Sequence, residues 1–241
     1  VPLEHQSGYL YACQQPPEKL KIAYSLTSPL GAHVSDAVKQ SILHSVRLLK
    51  DLGHEVEECD APINGHEVAT CYITMYFGHV AADMMSMANE LNTSWRKLNV
   101  EPLTRTLGNF GRSLSAAEFV KAKRLWNGFA RSMGAFHQKF DLYLCPVWAV
   151  EPTPHGAFHP AGADKLAMQL VNASGLHRLG LKTGIVEEIA YKSLEKLPFT
   201  QLANLTGQPA MSVPLYWSKS GLPIGSQFIA PINGEKTLFS L

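Results

Sequence analysis

The chain has 241 residues, of which 46% are hydrophobic and 17% charged, and its 21 basic and 20 acidic residues give a formal net charge of +1. A chain of this length can bury on the order of 70% of its unfolded surface, so the composition excludes a mainly disordered protein. Its scattered, balanced charges form no polyanion-binding surface, so we expect a small-molecule partner, with no nucleic acid and no membrane.

Cysteine usage and the apolar runs indicate the compartment. Cys13, Cys59, Cys71 and Cys145 form no C-x-x-C pair, which favours neither a disulfide framework nor a zinc site. No apolar run reaches the ~20 residues of a membrane span, and the first residues lack a signal-peptide pattern. We therefore expect a cytoplasmic protein without a metal or a cofactor.

The first third of the chain predicts a βαβ unit. The segment Lys21–Ser25 is typical of a short strand, and HEVEEC after Gly53 is typical of a second one. Between them, Ser35 is placed to cap a helix. The apolar residues of that helix, spaced to form one face, are Val38, Ile42, Val46 and Leu49. The sheet should therefore be at least partly parallel, with a right-handed crossover.

Two long helices are predicted in the middle of the chain. The segment from Glu67 to Leu91 is apolar around most of its circumference, which indicates burial on more than one side. Ser115 and Glu118 form the S-x-x-E pattern of a capping box, which predicts the start of the second helix. The apolar face of this second helix contains Phe119, Leu125, Trp126, Phe129, Met133 and Phe136.

The last hundred residues predict two helices and three strands. DLYLCPVW is typical of a strand, and the proline-rich stretch after it, from Pro146 to Gly162, of a loop. A helix is expected over Val186 to Leu197, and Pro198 is expected at the first position of the next one, which Gly207 follows. PAMSVPLYW and PIGSQFIA predict a β-hairpin. We expect a single α/β domain over residues 1–241, with a mixed sheet flanked by helices.

Searches for catalytic motifs give negative results. The chain has no G-x-S-x-G nucleophile elbow. HEVEE at His54 and HEVAT at His66 begin like zinc-protease helices, but neither has a second histidine four residues on, so we expect polar surface there. Isolated histidines such as His79 and His137, on apolar helices, are interpreted as packed side chains.

Three residues of the long apolar helix are candidates for a substrate pocket. Cys71, Tyr72 and Tyr76 lie on successive turns, and a thiol and two phenols on an apolar surface are typical of small-molecule sites. The alternative is a core helix in which the cysteine is a small buried hydrophobe.

The segment from Phe199 to Ala230, FTQLANLTGQPAMSVPLYWSKSGLPIGSQFIA, resembles the C-terminal part of the amidase signature family. That family has an F-T-x-x-x-N-x-T-G-x-P-A-x-S-x-P run and a G-L-P-x-G-x-Q turn and strand. Segments KLKIAYSLTSPLGAHVSDAVKQSI, LLKDLGHEVEEC and FDLYLCPVWAVEPTPHG agree in order and spacing. The resemblance covers nearly the whole chain, and its middle is the least determined part.

The resemblance implies hydrolysis of a carboxamide by a serine nucleophile, a second serine in a cis peptide bond and a lysine. Those groups lie in the N-terminal half of the family. This chain has no Ser-Ser dipeptide and no Gly/Ser-rich signature, so no catalytic residue is carried over to it. It also opens without Met, and GEKTLFSL resembles an interrupted helix. We expect the C-terminal portion of the amidase fold, incomplete at both ends and inactive without its N-terminal half.

Other interpretations remain open at this point. PAMSVPLYW is similar to enzymes acting on linear or cyclic ω-amino acid amides, such as the 6-aminohexanoate-cyclic-dimer hydrolases. A non-catalytic binding or assembly module is one alternative, an amidotransferase A-type subunit is another, and a homodimer is left open. The middle segment varies in the family and contributes to specificity, which favours Cys71, Tyr72 and Tyr76 as pocket residues. The loop from Asn172 to Gly184 is a second candidate.

Overall fold

A computed structural model of the protein describes residues 8–157, Asn172 and residues 185–241. The first elements along the chain are α1 (Tyr9–Ala12), β1 (Lys21–Tyr24), α2 (Asp36–Asp51), β2 (Glu55–Glu58) and α3 (Gly65–Glu90). A 3₁₀ turn (Trp95–Lys97), α4 (Pro102–Ser113), α5 (Ala116–Phe136) and β3 (Leu142–Pro146) follow. The last are α6 (Ile185–Leu194), α7 (Thr200–Thr206), β4 (Ala210–Trp217), β5 (Pro223–Ile229) and α8 (Glu235–Ser240).

The chain divides into two compact units, which are described separately. The first, called the sheet unit, comprises Val1–Val68, Trp126–Thr153 and Ser193–Leu241. The second, called the helical unit, comprises Ala69–Leu125 and Pro154–Lys192. The prediction of a single domain over residues 1–241 stays a prediction.

In the sheet unit, the five described strands form one mixed sheet in the order β2-β1-β3-β5-β4. β1 pairs in parallel with β2 and with β3, whereas β5 pairs antiparallel with β3 and with β4. β3 is buried along its whole length, as expected of a central strand covered on both faces. The predicted mixed sheet flanked by helices is confirmed.

Helices cover both faces of this sheet. On one face, α2 and α8 pack through Ile42, Val46 and Leu238 against Ile22, Leu142, Leu144 and Phe228. On the other face, the end of α5 and α7 pack through Met133, Phe136 and Leu202 against Ala23, Tyr143, Cys145 and Ile229. The alternation of β1, β3 and β5 residues between the two clusters follows from the two-residue period of a strand.

The first βαβ segment matches the sequence prediction closely. The Ser35 side chain accepts a hydrogen bond from the Val38 N–H at 3.4 Å and caps α2. The four predicted apolar positions of this helix are all buried. The parallel pairing of Lys21 with Glu55 confirms the expected parallel arrangement of the first two strands.

One helix start near the C-terminus differs from the prediction. α7 begins at Thr200 with Phe199 as its N-cap, so Pro198 precedes the helix instead of occupying its first turn. Phe199 is buried in the core, which fixes the chain directly after the proline. The helix ends as predicted, because Gly207 takes the left-handed conformation with φ 71°.

The helical unit contains most of α3, the 3₁₀ turn, α4 and the beginning of α5. α3 and α4 approach closely at Gly111, where a Cβ atom would lie 1.9 Å from the Phe77 carbonyl oxygen. The capping box of α5 is confirmed, since Ser115 Oγ accepts from the Glu118 N–H at 3.1 Å. Leu125 is exposed, so it does not belong to the buried face predicted for that helix. No described helix has the length and apolar character needed to cross a membrane.

Candidate functional site

The order of the parallel strands creates a crevice in the sheet unit. β1 lies between β2 and β3 in the sheet. The connection from β1 leads to β2 on one side, and β3 later joins the sheet on the other side of β1. In open α/β sheets, ligands bind outside the carboxyl ends of the strands at such a switch point. A cavity of about 250 Å³ lies there, and we call it the polar cavity. Its lining includes Ser25, Thr27, Asp60, Ala61, Tyr143 and Cys145.

Asp60 accepts hydrogen bonds from two hydroxyl groups that line the polar cavity. The Ser25 hydroxyl donates to its Oδ1 at 2.5 Å, and the Thr27 hydroxyl donates to the same oxygen at 2.9 Å. Ser25 follows β1, and Asp60 follows β2. The parallel register therefore brings the two residues together, since the carboxyl ends of both strands meet at one edge of the sheet.

Two buried side chains that line the polar cavity, Tyr143 and Cys145, remain uncharged at neutral pH. Burial raises the pKa of Tyr143 far above its usual value, and the Ser25 hydroxyl and the Ala61 backbone oppose this shift in part. Burial raises the pKa of the Cys145 thiol to about 12, against a hydrogen bond from the Gln227 side-chain amide at 3.4 Å. Since the thiolate is the nucleophilic form, Cys145 is not poised to attack a substrate.

The chemistry available in the polar cavity is binding. Asp60 Oδ1 is shared by two hydroxyl donors, those of Ser25 and Thr27, and we assign no nucleophilic role to Ser25. A carboxylate with hydroxyl neighbours is instead suited to accept hydrogen bonds from N–H or O–H groups of a ligand. The described residues contain no group of three or more histidine, cysteine or acidic side chains that could hold a metal ion.

A second cavity, of about 320 Å³, lies in the same unit, and we call it the apolar cavity. It is formed by the chain that follows β3 and by the β4–β5 hairpin. Its lining is Val147, Trp148, Val150, Pro152, Thr153, Ser212, Pro223, Ile224 and Gly225. Most of these side chains are apolar, and Thr153 and Ser212 supply two hydroxyl groups. This composition is typical of small-molecule sites.

The lining of both cavities includes residues from the same face of the sheet, namely Tyr143, Cys145 and Ile224. Tyr143 and Cys145 line the polar cavity, and Val147, two residues further along the chain, lines the apolar cavity. Cys145 pairs with Gln227 on β5, which in turn pairs with Ser212 on β4. The Gln227–Cys145 hydrogen bond therefore lies between a polar and an apolar space.

The three pocket residues predicted from the sequence lie in the helical unit. Cys71 is 1% exposed, and its thiol donates to the Ala122 carbonyl at 3.1 Å. Tyr72 is half-buried and Tyr76 is exposed, and their rings stack with centroids 6.2 Å apart. Neither of the two cavities described above includes these residues. Their role in substrate binding stays a prediction.

The second candidate, the loop from Asn172 to Gly184, lies outside the described residues except for Asn172. The Asn172 side-chain oxygen accepts hydrogen bonds from Thr106 Oγ1 at 3.1 Å and from Asn109 Nδ2 at 3.2 Å. Its amide donates to the Pro102 carbonyl at 3.1 Å. Asn172 is therefore anchored to α4 within the helical unit.

Local sequence patterns do not single out the lining residues of the two cavities. Ser25, Asp60 and Val147 each lie at or just beyond the end of a predicted strand, in or after KIAYS, HEVEEC and DLYLCPVW. Ligands bind at the carboxyl ends of parallel strands, and this rule applies to all three positions. The position of the switch point depends on the order of the strands in the sheet. Without that order, the rule does not identify which strand ends form the site.

Comparisons with known proteins agree with one another. The family model described as Amidase matches residues 4–239. The lipoamidase of Enterococcus faecalis is 33% identical over 224 residues, which cover 91% of this chain and 30% of that protein. One of the glutamyl-tRNA(Gln) amidotransferase A-type subunits of Clostridium acetobutylicum is 26% identical over 220 residues, which cover 84% of this chain and 40% of that protein.

A solved structure of 6-aminohexanoate cyclic dimer hydrolase is similar over 100% of this chain and 47% of its own, with a TM-score of 0.79. The sequence identity is 18%, so this similarity concerns the fold alone. The chain spans less than half the length of each of these three proteins.

Proposed function

The chain belongs to the amidase signature family, and we propose that it forms the substrate-binding C-terminal part of an enzyme that hydrolyses carboxamides. The proposal covers linear and cyclic carboxamides. Catalysis is assigned to a serine, a cis-serine and a lysine outside these 241 residues, as the family resemblance implies. The N-terminal half that carries those groups is the expected partner, and a cytoplasmic location is part of the same proposal.

The observation that supports this proposal best is the pair of cavities whose linings include residues from the same face of the sheet. A carboxamide has a polar group that donates and accepts hydrogen bonds and a hydrocarbon part that does neither. The carboxylate of Asp60, with the hydroxyls of Ser25 and Thr27, suits the polar group. The lining of the apolar cavity suits the hydrocarbon part.

The chemistry of the described residues supports the assignment of catalysis elsewhere. Burial raises the pKa of Cys145 to about 12, so its thiol is not a nucleophile at neutral pH. The full sequence contains no Ser-Ser dipeptide. Without a nucleophile and its base, the chain alone is expected to bind an amide without cleaving it.

The test is the formation of ammonia, or of a new primary amino group, from a panel of carboxamides. The panel contains acetamide, hexanamide, benzamide and the cyclic dimer of 6-aminohexanoate. It is applied to the 241-residue chain and to the whole protein that contains it. We expect hydrolysis by the whole protein and none by the chain alone. Failure of the whole protein on every amide would contradict the proposal.

A second candidate function is that of an amidotransferase A-type subunit. The 26% identity to a glutamyl-tRNA(Gln) amidotransferase subunit favours it. The near-neutral net charge of +1 is unfavourable to tRNA binding. Amide transfer to glutamyl-tRNA(Gln) that requires partner subunits would support this candidate over a free-standing amidase.

Cys71, Tyr72 and Tyr76 are proposed as further substrate contacts. The stacked rings of Tyr72 and Tyr76 provide an aromatic surface on α3. For the whole protein, we expect Tyr76→Ala to raise KM without lowering the melting temperature. A lower melting temperature with unchanged kinetics would assign these residues to the core.

A further inference from the structure

Resting on the proposed amide hydrolysis, we propose that the apolar cavity selects substrates by the length of the alkyl chain attached to the amide. The assignment concerns the specificity of the reaction and not its chemical step. The residues that carry it are Trp148, Val150, Pro152, Ser212, Ile224 and Gly225.

Most of the lining side chains of the apolar cavity present hydrocarbon surface. Trp148, Val150 and Pro152 come from the chain after β3, and Ile224 comes from β5. Trp148 and Val150 are half-buried, so each presents part of its surface to the cavity while the rest is packed. An alkyl chain enclosed by such groups loses contact with water, which is favourable by about 0.8 kcal/mol for each CH₂ buried.

The space itself depends on small residues in the sheet. Ser212 on β4 and Gly225 on β5 lie where larger side chains would fill the cavity. A Cβ atom on Gly225 would lie 2.6 Å from Ser212 Oγ and 3.1 Å from Val147 Cγ2. The Ser212 hydroxyl therefore covers Gly225 directly, and the two residues together form a shallow floor.

The size and position of the cavity determine which part of a substrate fits. Its volume of about 320 Å³ is at the lower end of the roughly 300–1,000 Å³ typical of ligand pockets, so it suits part of a small molecule. It begins at Val147, two residues after Cys145 of the polar cavity. An amide bound near Cys145 would direct its hydrocarbon chain past Val147 and over Gly225.

The experiment measures kcat/KM of the whole protein for acetamide, butanamide, hexanamide and octanamide. We expect kcat/KM to rise about fourfold for each CH₂ that enters the cavity, the factor that corresponds to about 0.8 kcal/mol, and then to level off. Val150→Phe should fill the cavity and lower the hexanamide-to-acetamide ratio of kcat/KM by at least about tenfold.

Two further variants make the test decisive. Val120→Phe makes the same change at an exposed position of α5 and should leave the ratio unchanged. Val150→Ala removes contacts without filling the cavity and should lower the ratio by a few fold, so the inference remains testable if Val150→Phe does not fold. Melting temperatures are measured for all three variants.

The possible outcomes separate this inference from the proposed function. Hydrolysis without chain-length preference, or a Val150→Phe variant with an unchanged ratio, would overturn the inference and leave amide hydrolysis intact. If Val150→Phe greatly lowers the melting temperature and leaves the ratio unchanged, other side chains of the protein occupy the space of the cavity. That result would also overturn the inference. Absence of hydrolysis for every amide would overturn the proposed function itself.

Discussion

The sheet unit has a ligand-sized cavity beside small residues, whereas the helical unit has a close contact between two helices at one glycine. In the sheet unit, Ser212 and Gly225 line a cavity of about 320 Å³. In the helical unit, Gly111 lets α4 pack directly on the Phe77 carbonyl of α3. Gly225 and Gly111 both allow a close approach through the missing side chain, but Gly225 also lies beside a ligand-sized space and Gly111 lies between two helices. A small residue therefore indicates a site only when a cavity lies beside it.

The largest expected effect is that of Gly111→Ala. The new Cβ would lie 1.9 Å from the Phe77 carbonyl oxygen and 2.8 Å from the Ala81 Cβ, and backbone atoms cannot move aside as a side chain can. We expect a loss of about 3 kcal/mol in the free energy of unfolding, measured by denaturant titration. The matched control is Gly128→Ala in α5, where nothing lies within 4 Å of the new Cβ. It should be neutral or stabilise by up to about 1 kcal/mol.

Gly225→Ala should lower the free energy of unfolding less than Gly111→Ala does. It should also affect the binding of an alkyl amide in the apolar cavity, which Gly225 lines. Its nearest obstacle is the Ser212 hydroxyl, which can rotate, so we expect a loss of about 1–2 kcal/mol in the free energy of unfolding. Adding Ser212→Ala removes that oxygen and should restore part of the stability. A double variant no more stable than Gly225→Ala would show that Val147, and not Ser212, limits this position.

Removing a helix cap from each unit should change the free energy of unfolding by a smaller amount. Ser115→Ala removes a capping box with an Oγ–N distance of 3.1 Å, and Ser35→Ala removes a longer contact of 3.4 Å. We expect Ser115→Ala to cost about 1 kcal/mol and Ser35→Ala less, both measured by denaturant unfolding. The reverse order would show that cap geometry does not decide the cost at these positions.

The smallest effect is a pH dependence that arises at His137 in the sheet unit. Its Nδ1 hydrogen-bonds the Phe140 carbonyl at 3.0 Å, whereas its Nε2 is buried without a partner among the described residues. Burial lowers its pKa, against the Phe140 carbonyl and the nearby Asp141, which raise it.

Since the unfolded chain binds the proton more tightly, the contribution of His137 to stability is present above pH ~6.5 and is lost as the pH falls below that value. His137→Gln should reduce the dependence of unfolding free energy on pH between about pH 5 and 7. An unchanged dependence in the variant would assign the acid sensitivity to other groups.

Local patterns predict the elements of the sheet unit, because each has a short-range cause. Ser35 caps α2 and precedes apolar residues that repeat along one face of that helix. Gly207 ends α7 at a position that requires a left-handed backbone conformation. The predicted start of α7 is wrong because burial of Phe199 overrides the preference of Pro198 for a first helical turn.

The candidate site is harder to predict because it depends on contacts between distant residues. Ser25 and Asp60 are 35 positions apart, and Cys145 and Gln227 are 82 positions apart. Only the strand order brings them together. Cys71, Tyr72 and Tyr76 are neighbours on one helix, a pattern that is visible in the sequence but that core packing also produces.

The most direct test of substrate binding in the sheet unit is photolabelling of the whole protein with a hexanamide analogue that carries a diazirine on its alkyl chain. Mass spectrometry would map the labelled peptides, and excess hexanamide would provide the competition control. We predict competed labelling in the segment 147–153 or on the β4–β5 hairpin. Labelling confined to the segment of α3 that contains Tyr72 and Tyr76 would contradict this prediction.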